Sequence, residues 1–535
     1  MPAITTVSTA HSPQEWLVWL KRRWAVLAGG ALAAGFIAYA VVLALNWPFT
    51  KQSVIDVLQE ATLRSVNVGN FQKTFFPPGC IVERVRFEHH LHKEKPPIIY
   101  VDRLIIHGSY WGLFTAQNRL ALVKAVNMHV LVPPAEVHGK PDPLMPLNRT
   151  SSSVKRLRID KIVADGAVLD FAHEDGSKPY RMTVDKLTVF DVSNNSAIPY
   201  KTVLTNSIPQ GTIRSAGVFG PWHPNHPADT PVHGAYEYQN ASLGALKDLN
   251  GILQAEGKFE GNLGEIRTNG KADVRGFHIS DTSHYRELSA VFQARVDGTN
   301  GNTMLDNVSA HFDHSWLIVK GSVAGQQGEK GKAVSLDLLC RSGRVEDVLD
   351  LFIAAKLSPI VGALQMDGHL YVPPGKADFL KRMHLWGDFH IEQGRFTNSE
   401  TQGDLNRLSA SAKKNNSENN DVTALSNLTG HGDIRNGIAT LTGLMFKVPG
   451  ATARMSGTYS ILPSYNVDLH GTLYTDGKPW TATTGFKSWM VRIITPFLKK
   501  HQNIRMVPFK ITGNYYNTNI GLDLWSKRKP NGQPR

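Results

Sequence analysis

Two pairs of histidines are the side chains in this sequence best suited to metal chemistry. His311 and His314 are three residues apart in a segment that alternates like a β-strand, so their side chains are expected on opposite faces. His90 and His92 are two residues apart and would share one face. Neither pair is accompanied by a motif that supplies a third ligand, which a zinc site requires. We therefore expect no metal site.

Motifs for covalent or phosphate chemistry are not found in the sequence either. It has no G-x-S-x-G nucleophile elbow. The segment GQQGEKGKA, 325–333, has an alanine after its last lysine, where a phosphate-binding loop needs serine or threonine. The acidic pairs Glu256 with Glu260 and Glu346 with Asp347 are of a kind common on solvated surfaces. We expect no catalytic residue and no cofactor, and hence no enzyme.

Composition narrows the classes of partner. The 535 residues carry a net charge of +13, from 58 lysines and arginines against 45 acidic residues. There is no arginine-rich block or nucleic-acid-binding motif, so we expect no nucleic-acid partner, whereas the positive charge suits an anionic lipid surface. The two cysteines, Cys80 and Cys340, exclude a disulfide framework. We expect two unpaired thiols, with one long-range disulfide as the alternative.

A stretch without charge, WAVLAGGALAAGFIAYAVVLAL, occupies 24–45. A helix of this length spans about 33 Å, enough to cross the hydrocarbon core of a bilayer. The basic residues before it place the N-terminus in the cytoplasm by the positive-inside rule. A cleaved signal peptide or a buried helix fits less well, because the A-x-A triplets lie inside the apolar run and no polar face exists. The predicted membrane anchor consists of Trp24, Tyr39, Leu45 and Trp47, and the predicted orientation signal of Lys21, Arg22 and Arg23.

Beyond this stretch the sequence alternates like short β-strands. Runs such as IIYVDRLIIHGSY, 98–110, recur about every 10–15 residues with few helical patterns between them, which favours an antiparallel sheet over β-α-β units. Asp165-Gly166 and Asp297-Gly298 predict turns. A sheet of roughly 20 or more strands must bury one face, and a bent sheet can leave that face open as an apolar groove.

Apolar residues at helical spacing interrupt this pattern in a few places. The predicted organisation is a short cytoplasmic head over 1–23, a transmembrane helix over 24–47, an amphipathic helix or linker over 48–65, a β-rich region over 66–340, and a second β-rich region over 341–535 with helices near 345–356 and 486–501.

Several stretches resemble the AsmA-like family of bacterial envelope proteins. The basic triplet, the single span and NWPF open the chain, and GPWHPNHPADTPVHGAYEYQNASL lies in its middle. The most specific stretch is NGIATLTGLMFKVPGATARMSGTYSILPSYNVDLHGTL, and VPFKITGNYYNTNIGLDL is similar to the family's closing strand pair. These stretches and those between them cover most of the chain.

The resemblance implies a mainly β fold, with one N-terminal transmembrane helix, an elongated, bent antiparallel sheet that forms a groove, and a few amphipathic helices. It implies a single-pass protein of the bacterial inner membrane, with its N-terminus in the cytoplasm and its bulk in the periplasm. The family is related to bridge-like lipid transfer proteins and is associated with outer-membrane lipid homeostasis. The expected partners are the phospholipid bilayer and lipid ligands.

The predicted function is therefore shielding or transfer of phospholipids toward the outer membrane through an apolar groove. A helix near the C-terminus would close one end of the groove or pack in the core; its residues are Trp489, Met490, Ile493, Phe497 and Leu498. The first alternative is a periplasmic scaffold that assembles outer-membrane proteins on its sheet edges. The second is an enzyme acting on an envelope glycan. An inner face that is continuously apolar and open would favour the first function.

Overall fold

The computed structural model is dominated by one curled, open β-sheet, a half-barrel, and 75% of the described residues lie in strands. The prediction of a mainly β fold is confirmed at this level. The structure describes residues 47–62, 64–88, 97–109, 119–132, 158–171, 180–193, 196–207, 209–221, 223, 226–246, 249–279, 284–326, 329, 331–353, 357–375, 377–397, 426–448, 451–461, 464–475, 506–514 and 517–523.

The sheet has 24 strands within these residues. They are β1 (Ser65–Asn67), β2 (Phe71–Thr74), β3 (Gly79–Glu88), β4 (Ile99–Gly108), β5 (Arg119–Val132), β6 (Arg158–Phe171), β7 (Tyr180–Val192), β8 (Ile198–Ser207), β9 (Gln210–Phe219), β10 (Pro231–Ser242), β11 (Leu249–Asn262), β12 (Glu265–Ile279), β13 (Arg286–Val296), β14 (Thr303–Phe312), β15 (Ser315–Gly325), β16 (Lys332–Arg344), β17 (Ile360–Val372), β18 (His384–Phe396), β19 (Ser426–Arg435), β20 (Ile438–Val448), β21 (Ala451–Ser460), β22 (Asn466–Thr475), β23 (Met506–Asn514) and β24 (Asn517–Leu522).

The helices are few and short. They are α1 (Lys51–Thr62), α2 (Val345–Leu349) and α3 (Phe379–Arg382), with single 3-10 turns at Pro227–Asp229 and Leu243–Leu246. Helix α1 begins after Thr50, whose Oγ1 accepts a hydrogen bond of 3.2 Å from the backbone N–H of Ser53. This is the usual way in which a threonine caps a helix N-terminus.

The strands pair almost entirely in chain order. β1 and β2 pair with opposite halves of β3, and from β4 onward each strand pairs with the one before it. All described pairings are antiparallel except β5–β6, which is parallel. The expected antiparallel sheet therefore differs from the structure at one pairing.

A buried carboxylate spans this parallel pairing on one face of the sheet. Asp170 of β6 is 3% exposed. Its two oxygens accept hydrogen bonds of 2.7 and 2.8 Å from the Arg181 guanidinium of β7, and His129 Nε2 of β5 lies 2.7 Å from Oδ2. One acidic side chain thus connects three neighbouring strands.

Glycine-containing turns were predicted at two places, with different outcomes. At Asp297-Gly298 the chain does turn between β13 and β14, and the Asp297 carboxylate accepts a hydrogen bond of 2.9 Å from the backbone N–H of Thr299. At Asp165-Gly166 the turn prediction is wrong, because β6 continues through this dipeptide. Gly166 instead has a φ of +71°, a conformation that glycine adopts without steric cost and that fits a local irregularity in the strand.

The two faces of the sheet differ in polarity. In β12 the residues on one face are half-buried or buried, and they alternate with exposed polar residues. The half-buried or buried residues are Ile266, Thr268, Gly270, Ala272 and Val274. Residues that pair across antiparallel strands share a face, and the register carries this division from β3 to β24. One face is therefore apolar along the sheet, and the other is mostly polar, with exposed apolar side chains such as Val291 and Met304 among the polar ones.

Helix α1 covers the apolar face at the N-terminal end of the sheet. Its Val54 is buried in a cluster with Val82, Val101 and Leu104 of β3 and β4, and Ile55 packs against the same cluster. Cys80 lies in this cluster, and burial raises the pKa of its thiol to about 12. Cys80 and Cys340 are both buried and unpaired.

The segment 345–353, which begins with α2, covers the apolar face further along the chain. Val345 clusters with Leu364 of β17, whereas Ile353 clusters with Tyr465, the residue before β22. One short segment thus contacts parts of the sheet that are five strands apart in order, as expected where the sheet curls around it. The apolar face is therefore the concave one, and we call it the inner face and its opposite the outer face.

No helix within the described residues has the length and apolar character needed to cross a bilayer. The predicted span, 24–47, lies outside these residues except for Trp47. The Trp47 ring is 3% exposed, donates a hydrogen bond of 3.3 Å to the Gly79 carbonyl and contacts the Phe49 and Phe75 rings. This places the start of the described chain against β3.

Asp170→Asn tests the connection across β5, β6 and β7. Arg181 lowers the pKa of Asp170 to about 2, so this carboxylate stabilises the folded state at neutral pH. That contribution is present above the unfolded pKa near 4 and is lost as the pH falls toward 2. We expect the variant to lose about 1–2 kcal/mol of unfolding free energy in urea at pH 7, and the difference from wild type to shrink between pH 4 and pH 2.

The matched control is Asp165→Asn, which removes an exposed carboxylate 2.9 Å from Lys124. It should cost less, because exposed ion pairs are screened by water. Equal losses in the two variants, or a difference from wild type that stays constant with pH, would contradict the role assigned to Asp170.

Candidate functional site: an apolar inner face

Within the described residues no helix packs on the inner face over β9–β14, whose larger apolar side chains are half-buried apart from the buried Val232, Val274 and Phe312. None of the described hydrophobic clusters formed with α1, α2 or α3 includes a residue from these six strands. We call this part the open section. Its larger apolar side chains are Ile213, Phe219, Val232, Leu253, Phe259, Ile266, Val274, Leu288, Phe292, Val296, Leu305, Val308 and Phe312.

On the inner face of the open section, aromatic rings lie flat against the sheet because glycines occupy the positions opposite them. We call this part of the sheet surface the floor of the open section. Phe259 pairs with Gly234, and a Cβ on that glycine would lie 2.9 Å from the Phe259 ring. Phe292 pairs with Gly270, where the corresponding distance is 2.8 Å. The rings therefore occupy the space that side chains would fill at the glycines, as in aromatic rescue of strand glycines. Because the rings lie over the glycines, they do not project into the groove.

A third ring of this kind is Tyr236, which pairs with Gly257. A Cβ at Gly257 would lie 2.8 Å from the Tyr236 hydroxyl oxygen and 2.5 Å from the Asn269 carbonyl oxygen. The three glycine–aromatic pairs are adjacent in the sheet and extend from β10 to β13.

The outer face of the same strands is charged. The positions between the inner-face residues of β11 and β12 include Glu256, Lys258, Glu260, Arg267 and Lys271, all of them exposed. On β13, Arg295 pairs with Asp306 of β14 at 2.8 Å on this face. The sheet therefore presents a wetted surface outside and an apolar surface inside.

Ionic contacts fix the segment 345–353 at one border of the open section. Arg286, at the start of β13, lies 2.6 Å from the Asp350 carboxylate and 2.9 Å from the Asp313 carboxylate. Asp347 is 4% exposed and accepts hydrogen bonds of 2.7 Å from Ser315 Oγ and 2.9 Å from the backbone N–H of His314. Burial raises the pKa of Asp350. These contacts hold the segment against the strand ends of β13–β15.

Glu256, Glu260, His311 and His314 do not form one cluster in the described structure, and His90 and His92 lie outside the described residues. Glu256 and Glu260 are exposed on the outer face. His311 packs at a tilt of 44° against Trp316, with ring centroids 4.5 Å apart, on that same face. His314 is exposed beside Asp347. No group of three or more histidine, cysteine or acidic residues within the described chain is arranged to hold a metal ion.

A shallow depression of about 820 Å³ lies on the outer face of β16–β20. Its outward side chains include Asp367, Asp388, His390 and His431. His431 Nδ1 lies 2.8 Å from the Asp388 carboxylate, and His390 Nε2 lies 3.2 Å from Glu392. These polar side chains pair with one another on a solvated surface, and we assign no chemistry to them.

The predicted anchor, orientation signal and groove-end helix lie outside the described residues apart from Trp47. The glycine–aromatic floor was not expected from the sequence. Its signal is nevertheless present in HGAYEYQ and EGKFEGN, where glycines and aromatic residues occupy alternate positions on two neighbouring strands.

Gly257→Ala tests the floor of the open section. The added methyl group would meet both the Asn269 carbonyl and the Tyr236 ring, so one of these groups must move. We expect a loss of about 1–3 kcal/mol in stability, measured as a lower midpoint of unfolding in urea. Gly521→Ala on β24 is the control, because a Cβ there has no neighbour within 4 Å. A loss of the same size at Gly521 would contradict the packing argument.

Comparisons with known proteins do not identify a family for this chain. No protein-family model, curated protein or solved structure matches the chain. The resemblance to AsmA-like proteins therefore remains an expectation from the sequence.

Proposed function

We propose that the protein binds lipid acyl chains on its inner face and shields them from water during transfer between membranes. In this proposal 24–47 anchors the chain in the bacterial inner membrane, the sheet lies in the periplasm and the cargo is phospholipid bound for the outer membrane. The membrane anchor, the compartment and the cargo rest on the sequence.

The observation that carries the proposal is the apolar inner face of β9–β14, on which no helix of the described residues packs. Large contiguous apolar surfaces exposed on a protein usually mark a site for a ligand, a membrane or a partner. A flat floor of rings and aliphatic side chains suits a flexible hydrocarbon chain better than it suits a rigid, hydrogen-bonding substrate.

The dimensions and the energetics fit an acyl chain. From β9 to β14 there are five strand spacings, or about 24 Å, compared with about 15 Å for the hydrocarbon thickness of one bilayer leaflet. Each methylene group removed from water contributes about 0.8 kcal/mol. A chain of about 15 methylenes that buries half of its surface would recover roughly 6 of the about 12 kcal/mol that it loses on leaving the bilayer, which halves the cost of transfer through water.

The segments that pack on the inner face on either side of the open section limit the ways in which a lipid would enter. Helix α1 lies over the inner face of β3 and β4, and the segment 345–353 lies over β17 and β18. Within the described residues the free approach to the open section is therefore the gap between the two margins of the half-barrel. A lipid would enter sideways, with its head group in water and its chains on the sheet.

Adjacent residues on β13 and β15 provide a matched experiment. The photoreactive amino acid p-benzoylphenylalanine replaces Phe292 on the inner face, or Val291 next to it, whose side chain is 56% exposed on the outer face. A second pair is Leu317 on the inner face and Ile318 on the outer face of β15. In cells grown with ³²P phosphate, we expect lipid adducts of the full chain from positions 292 and 317, and fewer than one tenth as many from 291 and 318.

Equal lipid labelling at both faces, or no labelling at 292 and 317, would overturn the proposal. The scaffold alternative makes a different prediction at the sheet edge. β24 is the last strand of the described sheet, and Asn519 lies within it. Adducts to outer-membrane proteins from position 519, without lipid adducts from position 292, would favour the scaffold.

A further inference from the structure

A band of polar side chains crosses the otherwise apolar inner face at one border of the open section. We call the three tyrosines Tyr200, Tyr236 and Tyr238, on β8 and β10, the tyrosine band. The Tyr200 hydroxyl lies 3.0 Å from Ser215 Oγ, and the Tyr236 hydroxyl lies 3.2 Å from Thr268 Oγ1. The register places all five side chains on the inner face.

The direction of each hydrogen bond follows from the number of available protons. Ser215 Oγ donates to the Ala235 carbonyl at 3.0 Å, and Thr268 Oγ1 donates to the Lys258 carbonyl at 3.0 Å. A hydroxyl group has one proton, so neither can also donate to a tyrosine. Tyr200 must then donate to Ser215, and Tyr236 must donate to Thr268.

The remaining hydroxyl groups of the band are engaged in the same way. Tyr238 donates to the Pro209 carbonyl and accepts from Asn206 Nδ2 at 3.1 Å. Thr202 Oγ1, on the same face of β8, donates to the Lys186 carbonyl at 3.2 Å. Every hydroxyl proton of these side chains is thus directed at the protein. What Tyr200 and Tyr236 still offer to the groove are oxygen lone pairs, which accept hydrogen bonds.

The surroundings of the band are uncharged. The inner-face positions of β8–β12 that pair in register carry no acidic or basic side chain. Burial raises the pKa values of Tyr200 and Tyr236, so both hydroxyls stay protonated and neutral. A charged group placed here would lose its hydration without gaining a partner of opposite charge.

We propose that the tyrosine band binds the uncharged, hydrogen-bond-donating part of a lipid, a hydroxyl or an amide N–H attached next to its acyl chain. This inference rests on the proposed lipid-binding function and narrows the cargo to lipids with a free hydroxyl or amide N–H beside the acyl chain, such as a lysophospholipid, because a diacyl glycerophospholipid has only ester oxygens there. An ester or ether oxygen would face the tyrosine oxygens with no proton between them, whereas a hydroxyl or amide group supplies that proton.

Three single-chain lipids with the same oleoyl chain test this selectivity. 1-Monooleoylglycerol supplies hydroxyl donors, oleamide supplies N–H donors and methyl oleate supplies only acceptors. Each competes with methyl cis-parinarate, whose fluorescence reports its own binding to the full chain in nonionic detergent. We expect at least one of the two donor lipids to bind roughly three- to tenfold more tightly than methyl oleate. The donor lipid with the larger advantage identifies hydroxyl or amide as the preferred group.

The double substitution Tyr200→Phe/Tyr236→Phe keeps both rings and removes both acceptors. We expect it to abolish the advantage of the donor lipids over methyl oleate. The control is Tyr371→Phe, on the outer face of β17, where the tyrosine oxygen accepts from Gln326 Nε2 at 3.1 Å. Each lipid partitions into the detergent to the same extent with either protein. The ratio of the variant's affinity to the wild-type affinity for one lipid is therefore independent of that partitioning.

Equal affinities for the three lipids in wild type, or an advantage that persists in the double variant, would overturn this inference and leave lipid binding intact. Failure of methyl cis-parinarate to bind the wild-type chain would instead overturn the proposed function. Loss of binding to all lipids in the double variant would show that the rings hold the floor together and that their oxygens do not select the ligand, which also overturns the inference.

Discussion

The whole structure depends on a two-residue alternation of side chains that is kept in register across consecutive strands. A slip of one residue in any pairing would move an apolar row to the water side and a charged row to the inner side. Extra residues are absorbed by irregularities in the ladder, such as those between Val274 and Phe277 and between Leu305 and Val308. The inner face stays apolar because these irregularities let the strands bend without changing which side chains share a face.

Coverage of the inner face is uneven, and this unevenness gives the groove its form. At the N-terminal end α1 turns the face into an ordinary buried core with Val82 and Val101. Near β17 the segment 345–353 does the same, but buried ionic contacts also fix it to β13–β15 through Arg286 and Asp347. The open section between them belongs to none of these hydrophobic clusters, and it meets the segment 345–353 through Arg286 at the start of β13. Within the described residues, what distinguishes it from the rest of the sheet is therefore the lack of a packed cover.

Much of this fold follows from the sequence, and the parts that do not follow have physical reasons. Alternation and turn chemistry predict the strands and the turn at Asp297, because both depend on neighbouring residues. The parallel β5–β6 pairing is not predictable in this way, because it depends on how 133–157 connects the strands, and those residues lie outside the described chain. Gly166 was misread because a glycine with positive φ serves a tight turn and a strand irregularity equally well.

The functional residues show the same limit. The sequence indicates an apolar face, but it does not reveal which strands remain uncovered, since that depends on contacts such as Ile353 with Tyr465 that are more than a hundred residues apart. The opposition of Gly270 and Phe292 likewise requires the register of two strands. The hydrogen-bond direction in the tyrosine band is harder still to predict from the sequence, because it depends on which carbonyl accepts each hydroxyl proton.

Pairing in chain order also bears on how such a sheet is made. Each strand from β4 onward finds its partner in the strand synthesised just before it, so most loops that must close are short and the sheet can grow from its N-terminal end as the chain appears. During this growth the unpaired groups of the newest strand form the advancing edge. A chain that stops early would keep the same inner and outer faces, but it would end in an edge strand whose unpaired backbone groups can pair with another chain. In the described sheet this edge is β24, a strand of only 6 residues, and a short edge strand limits pairing with other chains.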